Sequence, residues 1–414
     1  MKKIIKIVSL LVVFTVITAV LAEFKLSGLR GKSEDADGDP TDLSTEKTDY
    51  SAFAVNTALI STSSVGVSAR SCILCTSDGM VLYEKQADVP LPMASITKVM
   101  SVIVALEKIE DVAAVIEVSP LAVGIEGSSV YLQAGEKVDY EMLLYSAMLE
   151  SANDATTALA IAVSGSEEDF VAEMNKKADE LGMKSTEFKN PHGLSADGHY
   201  TTARDYSRLM AYALKNDTFR QIISTRKKVI MSADGSLTRV LTNHNRLLIT
   251  YKGMIGGKTG YTQASGRTLV TAAQRNGTTL ICVTIDASGD WNDHTMLFDR
   301  GFQTVRTEVL TSENCRTELP VAAGIKESVT LTLKDDFPVT IPVDSEVTVD
   351  YVYPHMRFAP VKKGDSFGYA VYYIDGKKAG ELPLYADEDI PGIEPEIKSG
   401  IIEKIKGFFR KEGK

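Results

Sequence analysis

The chain has 414 residues, too many for one ordinary domain and enough for two or three. Apolar residues make up 44% and charged residues 24%, a globular balance that excludes a wholly disordered chain, a collagen-like repeat and a polytopic membrane protein. A net charge of −10 argues against a nucleic-acid partner, because phosphate contacts need clustered lysine and arginine, and four cysteines are too few for a disulfide-built scaffold.

Residues 1–22 read as an export signal. Lys2, Lys3 and Lys6 form a basic start, and the apolar run from Ile7 to Leu21 is broken only by Ser9, Thr15 and Thr18. Val20-Leu21-Ala22 offers a cleavage point. The alternative is an uncleaved anchor, although about 15 apolar residues is short for a span. Either way the remainder is expected outside the cytoplasm, on the outer face of the membrane or in the wall space. Residues 23–50 carry eight acids and four bases with little apolar content, and read as a flexible tether. Asp35, Asp37, Asp39 and Glu46 occupy calcium-loop positions there, but Pro40 stands where such a loop needs glycine, so calcium is rejected.

Residues 51–308 mix strands and helices. Stretches 70–76 and 80–84 flank Ser77-Asp78-Gly79 and predict a hairpin. Residues 95–109 and 140–163 predict two long apolar helices, and 278–286 a buried strand. Cys72 and Cys75, three apart on a strand, face opposite sides, so they read as two separate thiols rather than a disulfide. Cys282 is placed in a core strand and Cys315 near the domain junction. The only tryptophan, Trp291, falls in a loop at 289–294, read as packing or as substrate rim.

Residues 309–390 change character. Short alternating runs separated by Asp-Gly, Lys-Lys-Gly-Asp and proline predict a small all-β domain. In the tail, Ile397, Ile401, Ile402, Ile405, Phe408 and Phe409 share one arc of a helical wheel, with a basic opposite face. Such a helix suits an anionic membrane surface; the alternative is packing on the protein's own body.

Three short segments carry chemistry. Ser95-Ile96-Thr97-Lys98 opens the first long helix, so hydroxyl and amine can meet on one face. Serine needs a base to become a nucleophile, and a lysine kept neutral by burial can supply one. The helix N-terminus adds N–H groups for an oxyanion. Ser151-Ala152-Asn153 and Lys258-Thr259-Gly260 follow in order. Each triplet is weak alone, but the ordered set is the signature of penicillin-recognising serine enzymes.

Two other patterns fail. Gly364-x-Ser366-x-Gly368 lacks a following helix and a later histidine, and Gly253-x-x-Gly256-Gly257-Lys258-Thr259 is too short for a phosphate loop. The five histidines form no metal-ligand pattern, so neither metal nor cofactor is expected.

The chain resembles the low-molecular-mass penicillin-binding proteins that are D-Ala-D-Ala carboxypeptidases, serine peptidase family S11. The resemblance rests on LYEKQADVPLPMASITKVM around Ser95, ESANDATTALA around Ser151, FKNPHGL at 188–194, HYTTARD at 199–205, and KTGYT at Lys258. It implies an α+β fold. A serine β-lactamase/transpeptidase-like domain (51–308, antiparallel sheet flanked by helices) is followed by a small β-sandwich (309–390) and an amphipathic anchor helix (391–414).

The resemblance also implies roles. Ser95 attacks the carbonyl between the two terminal D-alanines of a peptidoglycan pentapeptide stem, and β-lactams acylate the same hydroxyl. Lys98 is the base, Ser151 relays a proton, and Asn153 holds Lys98 and touches the substrate amide. Lys258 and Thr259 take the terminal carboxylate, Gly260 is counted with them among the substrate-binding residues, and the N–H groups of Ser95 and Tyr261 form the oxyanion hole. Arg267 departs from the family, which usually has a small or apolar residue there. The rivals are a class A-like β-lactamase, with Glu187 as the acid to weigh, a strict transpeptidase, and a non-catalytic scaffold in cell-wall or spore morphogenesis.

Overall fold

In the computed structural model, the described residues are 59–60, 65–232, 235 and 237–393. The signal, the tether with its calcium-like run, and the tail helix lie outside them. Among the described residues no helix is long and apolar enough to cross a membrane.

The first strands, β1 (Ser71–Thr76) and β2 (Val81–Lys85), form the predicted hairpin. Gly79 closes it at φ 102°, a conformation only glycine adopts freely. Next comes a 3₁₀ turn (Ala94–Thr97) and helix α1 (Lys98–Leu106). The predicted helix is therefore shorter and starts tight. The Thr97 hydroxyl donates to the Ala94 carbonyl at 2.7 Å, and Ala94 itself sits at φ 49°. Helix α1 is enclosed on every side, since all but its last residue are buried, Lys98 and Ser101 among them.

Short strands β3 (Val115–Glu117) and β4 (Lys137–Asp139) pair ahead of α2 (Tyr140–Tyr145). The second long helix is then interrupted. A π-turn (Ser146–Glu150) ends at Ser151 in the left-handed region, Ala152 is extended, and α3 (Asn153–Ser164) begins afresh. Helices α4 (Glu167–Glu180), α5 (Ala203–Ala213) and α6 (Asp217–Ser224) start at Ser166, Thr202 and Asn216, whose side chains cap the backbone three residues on. Strands β5 (Lys227–Met231) and β6 (Thr238–Thr242) form a separate hairpin, followed by the single turn α7 (Leu247–Thr250).

Strands β7 (Met254–Thr262), β8 (Gly266–Arg275) and β9 (Thr278–Ile285) complete a five-stranded antiparallel sheet in the order β2-β1-β9-β8-β7. Residues alternate between its faces. Cys75, Val270 and Val283 join the large core with α1–α6; Cys72, Leu269 and Cys282 join the core under α8 (Asp290–Thr304). The two early cysteines thus point to opposite sides as free buried thiols, and burial pushes each up to about 12. Residues 289–294 are not a loop: Gly289 caps α8 and Trp291 lies in its first turn, with Asp290 and Asp293 at the positive end of the helix dipole.

Helix α8 runs without a linker into β10 (Val305–Leu310). That strand pairs with β13 (Phe337–Pro342) and so opens the β region ahead of residue 309. Strands β11 (Arg316–Ala322), β12 (Ser328–Thr332), β14 (Val347–Val352), β15 (Arg357–Phe358), β16 (Ser366–Ile374) and β17 (Lys377–Ala386) make a six-stranded sheet in the order β14-β16-β17-β12-β11-β15. The core between the sheets includes Leu319, Leu331, Ile341 and Leu384. Cys315, expected near the domain junction, is a free thiol buried in that core.

Candidate active site

Strand β7 is the free edge of the main sheet, and the site is built along it. Gly260 is what lets the nucleophile come close. A Cβ there would lie 2.9 Å from the Ser95 backbone nitrogen and 2.4 Å from Thr268 Oγ1. The turn carrying Ser95 is pinned from below. Tyr206 OH donates to the Ile96 carbonyl, and Thr268 Oγ1 to the Met93 carbonyl at 3.0 Å. Gly193 packs under it so tightly that a Cβ would meet the Ala94 carbonyl oxygen at 2.1 Å.

Lys98 is fully buried, and its Nζ reaches three oxygens: Ser95 Oγ at 3.2 Å, Asn153 Oδ1 at 2.7 Å and the His192 carbonyl at 2.5 Å. Burial holds this amine well below the ordinary lysine range, with the Lys258 charge lowering it further and Asp154 opposing. Asn153 is fixed at its other end, where Nδ2 donates to the Glu126 carbonyl at 2.6 Å.

Ser151 is held in the left-handed region (φ 60°, ψ 28°), which costs a non-glycine residue about 1–3 kcal/mol. That conformation breaks the predicted helix and turns Oγ to Lys258 Nζ, 3.0 Å away. Lys258 also donates to the Thr259 carbonyl at 2.7 Å, and burial lowers it to about 7. All eight motif residues converge here. Ser95, Ser151, Thr259, Gly260 and Tyr261 line one cleft of about 380 Å³, and Lys98, Asn153 and Lys258 lie directly beneath.

The motifs alone left several residues unmarked. Ser128, His244, Arg267, Asp290 and Trp291 line the same cleft. Asp154 accepts from Ser129 Oγ and from the backbone of Val130 and Leu132, tying down the loop that carries Ser128. Its place beside Asn153 was the only available signal. His199 is a structural part. Nδ1 accepts from the Lys189 N–H at 2.9 Å, so Nε2 carries the proton and donates to Thr97 Oγ1 at 2.9 Å. Burial lowers it to about 4. His294 is buried between Thr271 and Thr284, and no cluster that could hold a metal ion occurs among the described residues. Glu187 pairs with Lys189 at the half-exposed surface and is not among the cleft residues.

Comparison with known proteins identifies the family. The sequence profile of the D-alanyl-D-alanine carboxypeptidases (peptidase S11) matches residues 58–289, and that of the penicillin-binding protein 5 C-terminal domain matches 307–392. The chain is 31% identical over 360 residues to the D-alanyl-D-alanine carboxypeptidase DacF of Bacillus subtilis, covering 83% of this chain and 90% of that one. It is 32% identical to DacC of Escherichia coli over 346 residues, 78% and 84% of the two chains. Penicillin-binding protein 5 of Haemophilus influenzae superposes with a TM-score of 0.64 at 28% identity, over 79% of this chain and 98% of that one. The chain therefore belongs to the D-alanyl-D-alanine carboxypeptidase family, the S11 penicillin-binding serine peptidases.

Proposed function

We propose that this carboxypeptidase removes the terminal D-alanine of peptidoglycan pentapeptide stems through an acyl-enzyme on Ser95. The carrying observation is the donor count at Lys98. A neutral amine has two N–H groups, and the acceptors Asn153 Oδ1 and the His192 carbonyl take both. Its lone pair is left for the proton of Ser95 Oγ at 3.2 Å. Lys98 takes that proton as Oγ attacks the carbonyl carbon of the penultimate D-alanine.

The N–H groups of Ser95 and Tyr261 hold the oxyanion. When the C–N bond breaks, the proton that Lys98 took passes through the hydroxyl of Ser151 to the leaving amine, while Lys258, which donates to Ser151 Oγ, keeps its own proton and orients that hydroxyl. Asn153 orients Lys98 and meets the substrate amide. Thr259 and Lys258 receive the terminal carboxylate. Water then hydrolyses the ester. A β-lactam opens on the same serine.

Slow release of that penicilloyl group is expected, because Glu187, the carboxylate a β-lactamase would need as base, pairs with Lys189 and is not among the residues that line the cleft. The test is D-alanine release from a pentapeptide ending in D-Ala-D-Ala. Release by the wild type and none by Ser95→Ala is expected, and equal rates would contradict the assignment.

On the sequence alone we further assign residues 1–22 to export, 23–50 to a tether, and 391–414 to an anchor helix on the outer face of the cytoplasmic membrane. The basic face and apolar arc of the tail support the last assignment. Deleting 397–414 should free the protein from anionic vesicles; unchanged cosedimentation would refute the anchor.

A further inference from the structure

The end of the β region from which the tail departs carries an apolar surface that the serine chemistry does not use. Backbone pairing brings three segments together there. Strand β15 runs parallel to the end of β11, with Phe358 beside Ala322. Gly324 pairs with Gly392, so that Ile325 donates its N–H to the Pro391 carbonyl at 3.0 Å and Ile393 to the Ala323 carbonyl at 2.8 Å. Val361 and Ile390 exchange both of their backbone bonds in the same place. Side chains alternate along such a ladder. A Cβ on Gly324 would meet Ile390 at 2.8 Å, on the side of the buried core. Ile325 and Ile393, each one step from the glycine pair, therefore share the opposite face, toward solvent. Ile325 is 63% exposed, Phe358 71% and Ile393 60%, and Met356, just ahead of β15, is half exposed. Large apolar side chains gathered on adjoining segments form a patch rather than a scatter.

The charges around this end are of both signs. Lys326 pairs with Glu388, Arg357 stacks over Phe367 at 5.0 Å, and the Lys363 N–H is held by Asp389. The attraction of the patch is thus apolar, not ionic. What faces it follows from where the chain goes next. Ile393 is followed by three residues and then by the apolar arc of the tail, which begins at Ile397. The four steps between them reach at most about 14 Å. A tail lying on a bilayer therefore holds the patch close to the same surface. From Ser399 to Lys414 the tail brings five basic residues against two acidic, which supplies the charge for anionic lipid. The patch adds side chains on a backbone already fixed by its ladder, so their entry costs little further ordering.

We propose that Ile325, Met356, Phe358 and Ile393 form a second membrane contact, inserted at the headgroup boundary of an anionic bilayer beside the tail. The proposal rests on the tail being an anchor and adds that the folded β region itself touches lipid. Attachment through one segment becomes attachment at two points, which fixes how the enzyme stands on the membrane.

The test uses the exported chain, residues 23–414, and vesicles of phosphatidylglycerol and phosphatidylcholine in equal parts. The native thiols are buried, so one introduced cysteine can carry an environment-sensitive fluorophore. Phe358→Cys is compared with Val352→Cys, an exposed position on β14 at the opposite edge of the six-stranded sheet. On adding vesicles, the label at 358 should shift to the blue and meet a lipid-borne quencher, and the label at 352 should do neither. Replacing Ile325, Phe358 and Ile393 together by serine should weaken vesicle binding about tenfold to a hundredfold, with D-alanine release from a soluble pentapeptide unchanged. Deleting 397–414 is the separate arm for the anchor. If that deletion abolishes binding while the triple variant binds like the wild type and the 358 label does not respond, the anchor stands and the second contact is overturned. No binding by the wild type refutes both. A 358 label already blue-shifted without vesicles, and reverting when the tail is deleted, would make the tail the cover of the patch. A dimer lost in the triple variant would make it a second copy of the chain. Either result overturns the proposal.

Discussion

The catalytic region and the β region that follows are built on opposite terms. From Val305 onward the buried side chains are apolar apart from Ser345, among the described residues. The catalytic region instead buries Lys98, Lys258, Arg204, several aspartates and three histidines. Burying a charge or an unpaired polar group costs several kcal/mol unless partners compensate. One region is organised for burial. The other gives up stability to bury an amine whose pKa is held well below its ordinary value and to keep a serine strained.

Substitutions should separate the two. The largest effect is expected at Lys98. Lys98→Met removes the base and should slow acylation of Ser95 by about a thousandfold or more. Unfolding stability should hold or rise, because a desolvated amine is gone. A loss of activity explained by unfolding would break the contrast. Leu331→Ala should do the reverse. Leu331 is fully buried in the β core, so its truncation should cost about 2–5 kcal/mol in denaturant unfolding and leave kcat/KM unchanged. Gly260→Ala comes next. Its Cβ would press on the Ser95 nitrogen and should lower kcat about tenfold to a hundredfold with no change in the β region.

The smallest effect is on pH dependence. In the native chain Lys98 lies well below the 10.5 of a free lysine. Between the two values the unfolded chain binds a proton that the native one lacks, so this group makes stability rise with pH. The wild-type stability minus that of Lys98→Met should therefore increase as pH is raised toward 10.5. A difference that does not change with pH would mean the amine is not held neutral. For activity the same group gives an acid limb: acylation is present above its native pKa and lost as pH falls through it.

Much of this was legible in the sequence. Hydrophobic runs marked the sheet and the β region, strand alternation separated Cys72 from Cys75, and three ordered triplets named the groups that meet at the cleft. The break at Ser151 was not legible. The stretch 140–163 keeps helical composition throughout, and the left-handed turn at Ser151 accompanies a contact with Lys258 Nζ, 107 residues away, that no local pattern announces. The glycine, aspartates and asparagine around Trp291 suggest a loop, yet those acids suit a helix start as well as a turn. Arg267 stood out only as a departure. Its partners Asp290 and Trp291 are more than 20 residues away, and no local pattern joins them.

The central claim is that Ser95 is the nucleophile activated by Lys98. The most direct measurement is mass spectrometry of peptides after incubation with benzylpenicillin, for the wild type, Lys98→Met and Ser95→Ala. One penicilloyl group on the Ser95 peptide is predicted for the wild type, formed far more slowly in Lys98→Met and absent from Ser95→Ala. An adduct on another serine, or equal labelling of all three proteins, would contradict the account.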